Sequence, residues 1–599
     1  MPVSISDLAK IPVIIEFDLD EKGRFVLYSS NETGIPHLYV LHTESGSKPK
    51  QITSGEDPVM GGVVSPQGDR LVYPQEKDGN EIHHLFLLPI EGGEAKRITE
   101  NPYRTVGMDW HPSGKEVSRA FVSMKSCGLE TINLETEERF MLTETTSPLM
   151  GVQYSNDGKW LACSMAASFE NIQVLIVNRN DPADTIVYSI RDDSRDGLPS
   201  WSPNDKKLAF VSDAKGRGQI VVQEFQGEER FFLGLEEGEE APEFSQAIWN
   251  PEGDKVYYVV SKHSRTTMHS HPIDGEKGAA LPFPKGTVSH MPSPKISKDG
   301  EVIVALHSSM TIPPGIYMHN IRSESTTLLT PRDFKADLTQ FAQPKSVWYT
   351  SFDGRKIHGW YLPAASGTTP HPAVIYSHGG PWGQVFDQWD VFLHCLSQNG
   401  LAGFAPNFRG STGYGAEFQN LDVGDPGGGD LEDVVSGAEW LRKQPEIDGS
   451  KIAIMGASYG GYMTLIALTK KPDAFATGVS LVPVVDWLEM YELSDSFFRA
   501  FMDTLLGGPP SEKEELYRDR SPITHVSKIK AKVMIMAGQK DSRCPIQPIR
   551  KFVKNLKEMN HPHELTLQEK AGHISAFMKW EECIPLFTSI LNYLKKVLV

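Results

Sequence analysis

The sequence predicts two domains of different architecture, a seven-bladed β-propeller followed by a mostly parallel α/β domain. Three observations predict it. The chain has 599 residues, too many for one ordinary hydrophobic core. Its first half repeats one turn-and-strand pattern about every 44–48 residues, near the spacing of propeller blades. Its second half alternates short apolar strands with helical patterns, which implies a parallel sheet covered on both faces. The expected boundaries are an N-terminal segment over 1–15, a propeller over 16–335 and the α/β domain over 336–599.

The repeat opens each time on a polar turn. Asp20-Glu21-Lys22-Gly23, Ser65-Pro66-Gln67-Gly68, His111-Pro112-Ser113-Gly114 and Ser155-Asn156-Asp157-Gly158 are the first four. Ser202-Pro203-Asn204-Asp205, Asn250-Pro251-Glu252-Gly253 and Ser297-Lys298-Asp299-Gly300 complete the series. Such residues reverse a chain at little steric cost, and β-branched and aromatic runs follow them. The third unit departs most, because Glu116 to Ser123 is less apolar than its counterparts. A propeller of this length can serve as a binding platform with no chemistry of its own.

Composition narrows the partners. A net charge of −18 disfavours nucleic acid and anionic membranes, since phosphates would be repelled on average. No apolar run approaches the length of a membrane span, and Met1 to Lys10 lacks an export signal, so a cytoplasmic protein is expected. Five scattered cysteines form no CxxC pair and read as buried small hydrophobes, not as a disulfide framework or a zinc site. Neither His83-His84 nor His269 with His271 has partners that complete a metal site, so no metal is expected. The run Glu236 to Glu240 reads as a solvated loop or as a grip on a free peptide amino terminus.

The second half carries the chemistry. Pro372 to Ser377 is a strand ending in His378-Gly379-Gly380-Pro381-Trp382, and Leu401 to Pro406 runs into Asn407 to Gly415. Gly456-Ala457-Ser458-Tyr459-Gly460 lies between an apolar strand and a helical pattern. Gly-x-Ser-x-Gly there reads as a nucleophile elbow, in which bulkier neighbours would clash with the turn. Further on, Val533 to Ala537 ends at Asp541, and the strand around Glu564 to Leu567 ends at His573. A hydroxyl needs a base to become a nucleophile, and the base needs an acid to fix its tautomer. The order Ser458, Asp541, His573 at strand ends is that of an α/β-hydrolase. The amide of Tyr459 and one in the His378-Gly379-Gly380 turn, preferably that of Gly380, are the expected oxyanion donors. The glycine-rich loop Gly424 to Gly429 lacks a Gly-Lys-Ser/Thr ending and precedes Asp430, Glu432 and Asp433, which argues against phosphate.

These stretches, with Gly427-Gly428-Gly429-Asp430, Asp541-Ser542-Arg543-Cys544-Pro545 and Gly572-His573, resemble the prolyl oligopeptidase family of serine peptidases. Within it they are similar to the acylaminoacyl-peptidase branch. The resemblance implies Ser458 as nucleophile, His573 as general base and acid, and Asp541 as orienting acid. It implies short peptides with a blocked amino terminus as substrates, no cofactor, side activity on esters and anilides, and a homo-oligomer, taken as a dimer. Ile574 stands where many members have glycine, at a position that needs no chemistry. Arg543 is expected either to hold a substrate carbonyl or carboxylate or to sit in an ion pair. Trp382, Trp487, Phe497 and Phe501 are candidates for an apolar pocket. A dipeptidyl peptidase, a general oligopeptidase or a carboxylesterase is the alternative enzyme, and a propeller scaffold without catalysis is the reading from another class.

Overall fold

The computed structural model describes residues 3–77, 79–275 and 277–599. Residues 14–232 form five four-stranded antiparallel meanders, and 248–328 form a nine-stranded sheet. In that sheet Thr287–Val288 pairs parallel with Arg265–Pro272 and antiparallel with Val302–Ser309, so it bridges two meanders. The repeated turns share one geometry. The amide of each fourth residue donates to the first residue's carbonyl at 2.7–3.0 Å, from Gly23 to Asp20 through to Gly300 to Ser297. That residue is left-handed every time, glycine at six turns and Asp205 (φ 57°) at the fifth. The less apolar third unit is a strand all the same, Glu116–Val122, because buried Arg119 pairs with Glu130 at 2.6 Å and lies over the Tyr103 and Phe121 rings.

Neighbouring meanders are stapled along their inner strands. Asp18 accepts from the Val64 amide at 2.8 Å, Asp109 from Tyr154 at 2.8 Å and Gln153 from Trp201 at 3.0 Å. The last meander packs Val304 and Ile316 against Val26 and Tyr28 of the first, and the Lys298 amide donates to the Glu21 carbonyl at 2.7 Å. The ring is closed on itself, and the edge that each meander keeps is its outer strand, which is short at Lys50–Gln51 and Lys96–Arg97.

The second half folds around one eight-stranded sheet. Its strands are β1 (Lys345–Thr350), β2 (Lys356–Leu362), β3 (His371–Ser377), β4 (Ala402–Asn407), β5 (Ile447–Ala457), β6 (Thr477–Leu481), β7 (Lys532–Gly538) and β8 (His563–Gln568). Their order is β1-β2-β4-β3-β5-β6-β7-β8. Pairing is antiparallel at β1–β2 and β2–β4 and parallel from there on. Helices α1 (Gly429–Arg442) and α2 (Tyr459–Lys470) pack on one face, and α4 (Trp580–Leu598) on the other. Helix α3 (Ser496–Leu505) lies at the propeller interface, where Thr504 accepts from the Phe169 amide at 3.0 Å. No helix among the described residues is long and apolar enough to cross a membrane.

Candidate active site

The site forms where parallel strands end and loops must turn. Ser458 follows β5 at φ 59° and ψ −119°, a conformation that a side chain rarely adopts, and caps α2. The sequence makes room for that turn. A β carbon on Gly456 would lie 2.4 Å from the Ser377 carbonyl oxygen, and one on Gly460 would lie 1.9 Å from it. The Ser458 amide donates to Leu481 at 2.9 Å, so the strained residue is pinned to β6.

Asp541 and His573 come from the loops after β7 and β8 and meet. Nδ1 of His573 is 2.8 Å from Oδ2 of Asp541, and both side chains are buried. The other carboxylate oxygen accepts from the amides of Arg543 at 2.9 Å and Cys544 at 2.8 Å. Three donors therefore fix the carboxylate, and it fixes the imidazole with Nε2 left to face a partner. Burial, with the Asp541 charge adding to it, holds the Cys544 thiol un-ionised.

The turn after β3 covers Ser458. Gly379 lies so close that a β carbon on it would sit 3.6 Å from Cβ of Ser458, while Gly380 has φ 126° and could bear no side chain without strain. The Tyr459 amide opens α2 beside the serine. His378 braces the turn. Its ring stacks on Phe408 at 4.3 Å, Nδ1 donates to the Gly379 carbonyl at 2.8 Å, and Nε2 is 2.9 Å from the Ser411 hydroxyl. Burial pushes its pKa down to about 4, so it stays a neutral prop.

Three of the four candidate pocket aromatics gather, and the propeller adds a fourth that the sequence did not single out. Phe169 stacks on Trp382 at 5.8 Å and meets Phe497 and Phe501 edge-on at 5.3 and 5.9 Å. It stands in the turn between the strands Trp160–Ser168 and Asn171–Asn178, where a lone Phe gave no local signal. The Trp382 indole donates to buried Asp422 at 3.2 Å. Trp487 does not join them. It is 1% exposed and packs behind the elbow against Tyr462 at 5.1 Å, which corrects its expected place in the pocket. Arg543 pairs with Glu81 of the propeller at 2.7 Å. Burial alone would raise the Glu81 carboxyl, but the charge and hydrogen bond of Arg543, with His573 and Arg104 nearby, together hold the group below its ordinary range.

Other candidate features have structural uses. In the glycine-rich loop, β carbons on Gly427, Gly428 and Gly429 would strike Tyr462, Asp425 and Arg409, so these glycines serve close packing. From the acidic run, Glu240 accepts from the Gly415 amide at 2.9 Å, and Glu239 lies 3.8 Å from Lys262. His83 accepts from the Thr105 amide and His84 faces Thr99. Among the described residues no three His, Cys, Asp or Glu are grouped to hold a metal.

Residues 386–599 match the model of the prolyl oligopeptidase family. Over most of its length the chain is similar to dipeptidyl aminopeptidase BIII of Pseudoxanthomonas mexicana, at 24% identity over 92% of this chain and 82% of that one. A shorter stretch is similar to the acylamino-acid-releasing enzyme of Rattus norvegicus, at 30% identity over 34% of this chain and 29% of that enzyme. Among solved structures, a puromycin-hydrolyzing peptidase of Mycobacterium tuberculosis superposes with a TM-score of 0.88. It has 19% identity, over 100% of this chain and 96% of that one, and so shares the propeller-plus-hydrolase fold.

Proposed function

Residues 386–599 of this chain belong to the prolyl oligopeptidase family of serine peptidases, and from that premise we propose an exopeptidase that cleaves after the N-acylated residue of short blocked peptides. The observation that carries the mechanism is the Asp541–His573 pair at 2.8 Å beside a serine held on an elbow. In this reading His573 takes the proton of the Ser458 hydroxyl as that oxygen attacks the scissile carbonyl. The Tyr459 and Gly380 amides receive the oxyanion, and Asp541 stabilises the imidazolium. His573 then protonates the leaving amine, and water releases the acyl group by the same steps in reverse. The cluster of Phe169, Trp382, Phe497 and Phe501 takes the first side chain. Arg543 receives the blocking acyl carbonyl with the donors that Glu81 leaves unused. This chemistry needs no metal or cofactor.

Ser458→Ala tests the mechanism. The variant should keep its circular dichroism while losing turnover and labelling by a serine-directed phosphonate, and labelling retained at that site would refute the assignment. A second reading has its own support. The relative matched over most of the chain is a dipeptidyl aminopeptidase, and Glu81 is a carboxylate beside the site that suits a free α-amine. Comparing an acetylated-residue anilide with a free-amine dipeptide anilide separates the two, and a strong preference for the free amine selects the second. The same reading counts seven blades, taking the nine-stranded sheet as two bridged meanders. It also keeps a cytoplasmic enzyme and a dimer, which a sizing measurement checks.

A further inference from the structure

A cavity of about 980 Å³ lies within the propeller, and every described residue that lines it falls between 234 and 280. It is separate from the site of Ser458, and its volume is in the range of small-ligand sites. Its floor is one face of two paired strands, Lys255–Lys262 and Arg265–Pro272. Alternate residues of a strand share a face, so Tyr258 and Lys262 line it from one strand, and Arg265 and His269 from the other. The segment after the fifth meander, residues 234–239, forms a second wall.

Two observations point to a ligand. Tyr258 lines the cavity at 1% exposure, and its hydroxyl has no hydrogen-bond partner among the described residues. A buried hydroxyl left unpaired costs stability unless something that enters the cavity meets it. The charges are the second observation. Lys262 is offset by Glu239 at 3.8 Å, and Arg265 by Asp387 at 2.8 Å. Glu236 and Glu237 on the second wall, and Lys277 beyond the strands, are exposed and in no ion pair among the described residues. Two free carboxylates, one free ammonium and an unpaired hydroxyl suit a ligand that carries both charges.

The floor sets the ligand's length. Lys262 pairs with Arg265 at one end, and Tyr258 with His269 four residues along, which is about 13 Å of strand. An extended peptide of three or four residues spans that distance. The acidic run thus offers a grip on a free amino terminus, but away from the scissile bond. It also has a link to the catalytic domain. Glu240, next in the chain, receives the Gly415 amide, and Ser411 of the same loop meets His378, the prop of the oxyanion turn.

We propose that this cavity binds a short peptide with both ends free and that the bound peptide slows turnover. Its ammonium lies at Glu236 and Glu237, its carboxylate at Lys277, and the Tyr258 hydroxyl pairs with a carbonyl between them. This rests on the peptidase reading above, because cleavage of a blocked peptide releases a product of that kind. The signal passes through Glu240 to the loop that carries Ser411.

Trialanine is the probe, titrated calorimetrically into enzyme whose Ser458 already carries a serine-directed phosphonate. One site should remain, and acetylating the peptide's amine or amidating its carboxylate should each weaken binding at least 10-fold. The double variant Glu236→Gln, Glu237→Gln should weaken it as much. Tyr258→Phe should weaken it at least 5-fold, and it folds because it removes only a hydroxyl that pairs with nothing. In unlabelled enzyme trialanine should lower kcat for 4-nitrophenyl acetate at least 2-fold with KM unchanged, and should not do so in the double variant. Absence of binding, binding that the variants leave unchanged, or an unaltered kcat overturns the proposal. Failure of the phosphonate to label Ser458 sinks the peptidase reading instead, and the titration is then read on untreated enzyme.

Discussion

A methyl group at position 460 would fall 1.9 Å from the Ser377 carbonyl oxygen, well inside contact distance, and backbone cannot step aside as a side chain can. Gly460→Ala therefore tests whether the elbow is as tight as its φ suggests. Its cost should reach the upper range for overpacking, about 3 kcal/mol in urea unfolding, with turnover down at least ~100-fold because Ser458 is displaced. A variant with wild-type stability would mean that the turn has slack. Asp541→Asn probes the neighbouring link. The amide keeps the shape of the carboxylate, but it presents the imidazole in the wrong tautomer and stabilises no imidazolium. On the proposed mechanism kcat should fall by ~10⁴ with the fold unchanged. A loss below tenfold would show that the hydrogen bond between His573 and Asp541 does not orient the base.

At the scale of elements, the segment after β4 shows how two domains hold one loop. Gly415 donates to Glu240, the Ala416 amide to the Gly216 carbonyl at 2.9 Å, and Gln419 to Glu243 at 2.6 Å. Burial pushes the Glu240 carboxyl up from 4.5 to about 7, against the Gly415 amide and the Arg217 charge, which pull it down. Between pH 4.5 and 7 the native state thus keeps a proton that the unfolded chain has lost. That contribution to stability is complete below pH 4.5 and disappears as pH rises through 7. Glu240→Gln should then exceed the wild type by about 3 kcal/mol at pH 8 and match it near pH 4.5 in chemical denaturation. An equal difference at both pH values would exclude titration as its cause. None of this docking was visible in the sequence, where Glu236 to Glu240 read as a loop or an amine grip. The turns and the parallel strands were legible because glycine at a left-handed position and runs of Val and Ile are local demands. Strands β1 and β2 were not, since Trp348 between Val347 and Tyr349 and His358 beside Gly359 follow no period. Phe169 and Glu81 reach the site only through the way one domain sits on the other, and Trp487 was misplaced because aromatic residues near a serine look alike in one dimension.

At the scale of the whole molecule, the chain ends meet. A helix of five residues, Ile5–Ala9, is too short to persist in water, and even with Ser4 capping it at the Asp7 amide it needs a surface to hold it. It finds one on the hydrolase, where Leu8, Ala9 and Ile11 pack with Phe587, Ile590 and Leu594 of α4. The Val3 amide also donates to Gln398 at 3.1 Å. The segment that precedes the propeller in sequence therefore completes the core of the domain that follows it, and the hydrolase closes only after the whole ring has been spanned. Leu8 is 1% exposed, so Leu8→Ala removes buried contacts and leaves a cavity, at a cost of about 2–5 kcal/mol. The cost should fall on the hydrolase. In hydrogen exchange the amides of α4 should lose protection in step with faster thermal inactivation of esterase activity, while the propeller amides at Gly23, Gly158 and Gly300 keep theirs. If those turn amides open and α4 does not, the N-terminal segment belongs energetically to the ring, and the two halves are coupled some other way.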